Sequence, residues 1–235
     1  MQRSLVGSEM CIRDRYEVLR FWMDKGVKGF RFDVINLIGK DEVLKDCSEN
    51  DGKPAYTDRP INHDYIHGMN QETFGNDDEI ITVGEMSFTT VGECILYTKP
   101  ERKELNMTFN FHHLKVDYQD GKKWTQMPFD FAKLKELFHT WGTQMSEENG
   151  WNALFWNNHD QPRALNRFID VDNYRVAGAK MLAGAIHLNR GTPYIYMGEE
   201  IGMLDPDFDT MEQYVDIESL NAYQELLVEG TVSYT

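Results

Sequence analysis

The stretch Gly29-Phe30-Arg31-Phe32-Asp33-Val34-Ile35 sets two opposite charges into an otherwise apolar, strand-like run. Strand side chains alternate between faces, so Arg31 and Asp33 share one face while Phe30, Phe32 and Val34 share the other. Such a pair is either a structural ion pair or a carboxylate kept ionised for chemistry by a guanidinium. The pattern recurs, which favours chemistry. Ile80-Ile81-Thr82-Val83-Gly84-Glu85 is a second β-branched run ending in a carboxylate, and Ala153-Leu154-Phe155-Trp156-Asn157-Asn158-His159-Asp160 is a third.

Carboxylates that flank one bond suit glycoside hydrolysis, where one is nucleophile or base and the other is acid. Arg31 would lower the pKa of Asp33 and keep it a competent nucleophile. Glu85 lies among Val83, Met86 and Phe88, where desolvation favours the protonated form an acid needs, although a solvated strand end is the plainer alternative. Asn158 to Arg163 reads either as an Asx turn before Pro162 or as a site segment. In the second case His159 and Asp160 bond sugar hydroxyls, and Asp160 opposes the charge of an oxocarbenium-like transition state. Trp156, Phe109 and Phe111 offer faces for sugar rings, or they fill core.

The elements that must position these groups alternate in type. Strands are expected at 29–35, 79–85, 105–111, 152–156 and 192–198. Helices are expected from Tyr16 to Asp24, stopped by Gly26, from Pro60 through Met69, over 131–141, over about 172–189 and over 219–228. Residues 40–59 read as a long loop. Strands alternating with helices imply an α/β fold with a parallel sheet, and parallel strands present all their C-terminal ends on one face. A complete (β/α)8 barrel has eight strands in about 250 residues. The five found here predict part of one.

Composition narrows the partners. The 235 residues are 41% hydrophobic and 12% aromatic, a globular balance. Against 24 basic residues stand 39 acidic ones, and the net charge of -15 argues against nucleic acid and anionic membranes. Cys11, Cys47 and Cys94 have neither disulfide-framework nor zinc-site spacing. No apolar run approaches the roughly 20 residues of a membrane span, and no signal-peptide core opens the chain. A cytoplasmic protein with reduced thiols is expected, with no cofactor and no metal site.

Gly29-Phe30-Arg31-Phe32-Asp33, Val83-Gly84-Glu85 and Asn158-His159-Asp160 resemble, in order, three signature regions of the α-amylase family of retaining glycoside hydrolases. The resemblance runs from about Tyr16 to about Leu227 and implies a (β/α)8 TIM barrel, of which this chain would hold about strands 4 to 8. It makes Asp33 the nucleophile, Glu85 the general acid/base and Asp160 the transition-state stabiliser, with Arg31 and His159 in support. Within the family the chain is similar to the oligo-1,6-glucosidase-like branch. Asp33 to Ile38, Met107 to Tyr118 and Gly191 to Tyr196 resemble its members that hydrolyse trehalose 6-phosphate.

That substrate carries a phosphate on its leaving glucose, which needs cationic donors in a protein of such negative charge. Lys115, His112 and His113, with Lys122 or Lys123 nearby, are the candidates. Short α-1,6-linked glucans are the alternative substrates. A sugar-binding or transporter-associated barrel is the non-catalytic alternative, but such members typically lose a carboxylate. Residues 1–15 match nothing the family has before its fourth strand and read as a non-native leader, leaving 16–235 as a partial catalytic domain. The first three strands, the inserted small domain and the C-terminal β-domain are not found in the sequence. The isolated chain is therefore expected to be poorly stable and largely inactive.

Overall fold

A computed structural model describes residues 9–40, 49–124 and 127–230. The elements in order are α1 (Glu9–Asp24), β1 (Gly29–Phe32), α2 (Pro60–Glu72), β2 (Ile81–Glu85), α3 (Val91–Thr98), β3 (Met107–Phe109), α4 (Phe131–Glu147), β4 (Ala153–Leu154), α5 (Ala164–Phe168), α6 (Val171–His187), β5 (Thr192–Pro193) and α7 (Ile217–Val228). Among the described residues, five parallel strands therefore alternate with helices, as expected.

β1 pairs with β2 and β2 with β3, both parallel, and β4 pairs parallel with β5. A parallel bridge between Thr108 and Asn152 joins the two groups, so spatial order follows chain order. Each parallel connection carries at least one helix, as parallel neighbours require. Gly84 permits close packing at the centre of this sheet, since a Cβ there would stand 2.6 Å from the Leu105 side chain. Gly191, at φ 154°, does the same before β5, where a Cβ would lie 2.7 Å from the Asn152 carbonyl.

The strands are shorter than the apolar runs suggest. β1 stops at Phe32 because Val34 turns into the left-handed region at φ 35°, an uncommon conformation for a β-branched residue. Asp33 thus follows the strand rather than lying within it, and a 3₁₀ turn, Ile35–Leu37, comes next. β3, β4 and β5 likewise give way to turns that carry their polar residues over the sheet edge.

Two helices, α3 and α5, were not anticipated. Thr90 caps α3 by accepting from the Glu93 amide at 3.2 Å, the Ser/Thr-x-x-Glu start signal being legible in Thr90 to Glu93. Inside the expected loop, Glu49–Ala55 is 3₁₀ helix, while 41–48 lie outside the described residues. α1 starts at Glu9 rather than Tyr16.

Asp130, Asp170 and Asp216 cap α4, α6 and α7, each carboxylate accepting an amide three residues on. The core has two main clusters. One joins Ile66, Met86, Tyr97, Leu105 and Met145 between α2, α3 and α4, and the other packs Phe155, Trp156 and Phe168 against Leu182 and Ile186 of α6. Among the described residues no helix is long and apolar enough to cross a membrane.

Candidate active site

All five strand ends open on one side, and a cleft of about 180 Å³ lies over them. β1 contributes Arg31, β2 Glu85, β3 Phe109 and Phe111, β4 Asn157 to His159, and β5 Tyr194 to Tyr196. The centre is an arginine between two carboxylates. Arg31 Nη1 donates to Asp33 Oδ1, and Arg31 Nη2 donates to Glu85 Oε2 at 2.6 Å. The backbone turn at Val34 has a role here, for it aims the Val34 amide at the same Glu85 oxygen, 3.2 Å away.

The two carboxyls differ in setting and so in proton affinity. Asp33 has a side chain 73% exposed, and hydrogen bonding from Arg31 and then from Glu85 holds its pKa below the ordinary carboxylate value. Glu85 is 5% exposed. Burial pushes its pKa up, against the lowering pull of the Val34 amide and Arg31. Burial thus favours the protonated form of Glu85, while hydrogen bonding favours the ionised form of Asp33. Two titratable groups pushed apart in pKa across one hydrogen bond are the mark of an acid and its partner base or nucleophile.

The β1 and β2 ends are locked to each other by a residue that sequence reasoning missed. Asn36, fully buried, donates to the Ser87 carbonyl at 2.8 Å and to Asp58 at 3.0 Å, and accepts from the Ser87 amide at 3.0 Å. The paired contacts with Ser87 imitate a strand pair past the point where pairing stops. A buried asparagine directly after a charged strand end was the available signal.

His159 lines the cleft, and its side chain is 65% exposed. Asp160 sits at the rim, half exposed, its carboxylate 3.5 Å from the His159 ring, and its amide donates to Asn158 Oδ1 at 3.1 Å, closing the expected Asx turn. Phe109 and Phe111 line the cleft and also pack against the core. Trp156 does not line it: it is 1% exposed, and its indole N–H donates to the Leu182 carbonyl at 2.7 Å, so it is core. Tyr194 and Tyr196, which sequence reasoning left unassigned, complete the wall.

The expected cationic cluster is divided. Lys115 and His112 line a second pocket of about 80 Å³ with Met86, Ser87, Phe88 and Phe111, so Phe111 stands between it and the main cleft. Burial and the neighbouring Lys53 lower the pKa of Lys115, which keeps a solvent-exposed face.

His112 is pushed toward neutrality by burial and by Lys115, and its buried Nδ1 has no partner. His113 is turned into the core, where Nε2 bonds the Phe155 carbonyl at 2.6 Å and burial lowers its pKa to about 4. Both shifts disfavour the positive charge expected of these rings. Lys123 is engaged by Glu218 at 2.6 Å and by the Asp160 carbonyl at 2.9 Å, and Lys122 is exposed elsewhere on the surface.

Parallel strands with helical crossovers and polar side chains gathered at their C-terminal ends are features of the (β/α)-barrel class. The chain belongs to the alpha-amylase family: the model of its catalytic domain, "Alpha amylase, catalytic domain", matches residues 6–228. That match begins inside the segment set aside as a leader.

Trehalose-6-phosphate hydrolase of Bacillus subtilis (strain 168) is 55% identical over 215 residues, which are 92% of this chain and 38% of that protein. Oligo-1,6-glucosidase of Bacillus cereus is 45% identical over 227 residues, 94% of this chain and 40% of that protein. The crystal structure of Bacillus licheniformis trehalose-6-phosphate hydrolase superposes with a TM-score of 0.90 at 52% identity, covering 96% of this chain and 40% of that one. The chain therefore spans about two fifths of the length of the relatives it matches.

Proposed function

We propose that the chain supplies the acid–base centre of a retaining α-glucosidase that hydrolyses trehalose 6-phosphate to glucose and glucose 6-phosphate. Its five strands take about places four to eight of the barrel, and residues 16–235 are the catalytic-domain part. The observation that carries this reading is the Arg31 bridge between Asp33 and Glu85 at the ends of adjacent parallel strands, with the two carboxyls pushed in opposite pKa directions. The similarity to trehalose-6-phosphate hydrolases supports the substrate.

A retaining mechanism needs its two carboxyls about 5–5.5 Å apart. The Asp33–Glu85 hydrogen bond must then open as substrate enters, which the exposed Asp33 side chain allows. Asp33 attacks the anomeric carbon while the bond to the bridging oxygen breaks. The bonding pair leaves with that oxygen, and Glu85 gives it a proton, releasing glucose 6-phosphate. Asp160, with His159 beside it, offsets the positive charge on the ring. Ionised Glu85 next takes a proton from water, the water oxygen bonds to the anomeric carbon, and glucose departs as the Asp33 carboxylate is restored. Lys115, in the pocket that Phe111 separates from the main cleft, is the residue proposed to meet the phosphate.

Glu85→Gln in the complete enzyme tests the assignment. The turnover of trehalose 6-phosphate is expected to fall about 10²–10⁴-fold. With p-nitrophenyl α-glucoside, whose leaving group needs no proton, a burst of nitrophenolate should precede slow turnover, because release of the glycosyl-enzyme still lacks its base. Equal loss on both substrates without a burst contradicts the role given to Glu85. The 45% identity to an oligo-1,6-glucosidase favours short α-1,6-linked glucans as the second reading, and a higher kcat/KM on isomaltose than on trehalose 6-phosphate would select it.

A further inference from the structure

Among the described residues, Glu85 has a ladder partner on one side only. It lies opposite Phe109 in the β2–β3 pair, and the next amide, that of Met86, donates to the Phe109 carbonyl at 3.1 Å. Toward β1 the ladder ends one residue earlier, at Phe32 opposite Gly84, because the chain turns away at Val34. Beyond that point the Asn36 side chain stands in for a strand residue, exchanging two hydrogen bonds with the Ser87 backbone. Asn36 follows Asp33 by three residues and Ser87 follows Glu85 by two, so one side-chain amide joins the two chain segments that carry the reacting carboxyls.

Asp58 allows that amide one orientation. Asn36 Nδ2 carries two hydrogens and gives one to the Ser87 carbonyl and the other to Asp58 Oδ1, while Asn36 Oδ1 accepts from the Ser87 amide. Turned over, the group would set its oxygen against a carbonyl and a carboxylate, and its NH2 against an N–H. Asp58 stands just before α2 at φ 47°, a region aspartate tolerates better than most residues, and its own amide donates to the Asn36 carbonyl at 2.9 Å. Asn62 of α2 donates to the same carbonyl at 2.5 Å, and both asparagines are fully buried. No water is at hand there to replace a lost partner. An apolar contact would join the two loops with less desolvation, but it would not fix their distance.

We propose that Asp58 and Asn36 are positioning residues for the acid/base Glu85: Asp58 fixes the Asn36 amide, and that amide holds Ser87, and with it Glu85, at the spacing from Asp33 that proton transfer needs. The inference rests on the role proposed for Glu85 above. A retaining centre works with its carboxyls about 5–5.5 Å apart, so the Asp33 and Glu85 side chains must separate as substrate enters. With the two backbones tied at Asn36, that separation is confined to side-chain rotation. Without the tie the loop after β2 is free to shift, and the proton of Glu85 misses the bridging oxygen.

The test uses the complete enzyme and its Asp58→Asn and Asn36→Asp variants, with His63→Gln as a control for stability alone, since His63 belongs to the neighbouring contact with Glu104 at 2.7 Å. Asp58→Asn keeps the side-chain shape but frees the Asn36 amide to turn over, and Asn36→Asp removes its donors. On trehalose 6-phosphate, whose leaving oxygen needs a proton, both are expected to lower kcat about 10–10²-fold while KM stays within about twofold. With p-nitrophenyl α-glucoside the first release of nitrophenolate needs no acid, so its rate constant should stay within about threefold, and its amplitude counts the competent sites. Azide attacks the glycosyl-enzyme without a base and should speed steady turnover of this substrate more in the two variants than in the wild type. His63→Gln should lower the melting temperature with none of these changes.

Equal losses on trehalose 6-phosphate and in the nitrophenolate burst, without rescue by azide, assign Asp58 and Asn36 to folding and overturn the proposal. An unchanged kcat in Asp58→Asn at full burst amplitude overturns it as well. Either result leaves the role of Glu85 standing, because Glu85→Gln tests that role by itself. A Glu85→Gln enzyme without a burst removes the reading on which the positioning rests.

Discussion

At the scale of single residues, the proposed acid–base centre turns on Arg31. It touches both carboxyls, is the largest influence lowering the pKa of Asp33, and also pulls against the burial that raises Glu85. A nucleophile must be ionised, so activity is lost as pH falls through the Asp33 value. An acid must be protonated, so activity is lost as pH rises through the Glu85 value. Arg31→Met removes a lowering influence from each, and both limbs of the kcat/KM profile are expected to move to higher pH. Because the two groups share a hydrogen bond, the limbs belong to the pair, and a shift of the whole bell is the readout. Limbs that stay in place would mean that Arg31 serves only to hold the fold. The charges themselves were legible in the sequence, as Arg31, Asp33 and Glu85 stand out from apolar runs. The Val34 turn was not, because nothing in a β-branched residue announces a positive φ, and only the finished structure shows its amide bonding Glu85.

At the scale of elements, the alternation of strands and helices was legible, but strand length was not. Apolar runs continue past the last paired residue because the same side chains pack under the turns, as Ile35 and Phe155 do. His113 and Trp156 show the corresponding limit for the site. Their residue types suggested binding, yet the turn geometry points both into the core. The loop that carries Lys115 is held by a contact between residues far apart in sequence. Arg167 of α5 donates to Asp117 Oδ2 at 3.0 Å and Oδ1 at 2.5 Å and to the Leu114 carbonyl, with both side chains about 5% exposed or less. This ion pair ties the turn after β3 to the helix that follows the Asp160 segment. Arg167→Met strands a buried carboxylate and is expected to cost about 3–5 kcal/mol. Arg167→Met with Asp117→Leu should recover most of that stability in urea unfolding of the complete enzyme, with a raised KM for the phosphorylated substrate in both variants. If the double variant is as unstable as the single one, the pair acts as packing rather than as a charge lock.

At the scale of the whole molecule, apolar faces turned to solvent set how the 235-residue chain behaves on its own. α1 packs Leu19 and Met23 inward but also turns Val18, Phe21 and Trp22 outward, the last two about half exposed. A helix that is apolar on both sides belongs inside a larger body. α6 repeats the pattern with Tyr174, Val176 and Met181. Among the described residues β1 pairs only with β2, and β5 only with β4, so each leaves a strand edge able to accept another chain. These faces and edges favour self-association, while the charge of -15 opposes it. The balance depends on salt, because ions screen the repulsion over about 10 Å at 0.1 M and leave apolar burial intact. The isolated chain is therefore expected to bind a hydrophobic dye, to melt without a cooperative transition, and to sediment as larger species as salt rises. Phe21→Glu with Trp22→Lys should reduce that association at fixed salt by breaking the α1 face. A monomer at 0.5 M salt with a sharp melt and measurable turnover would show that these surfaces are tolerated as they stand, and that the five strands close enough of the pocket to work alone.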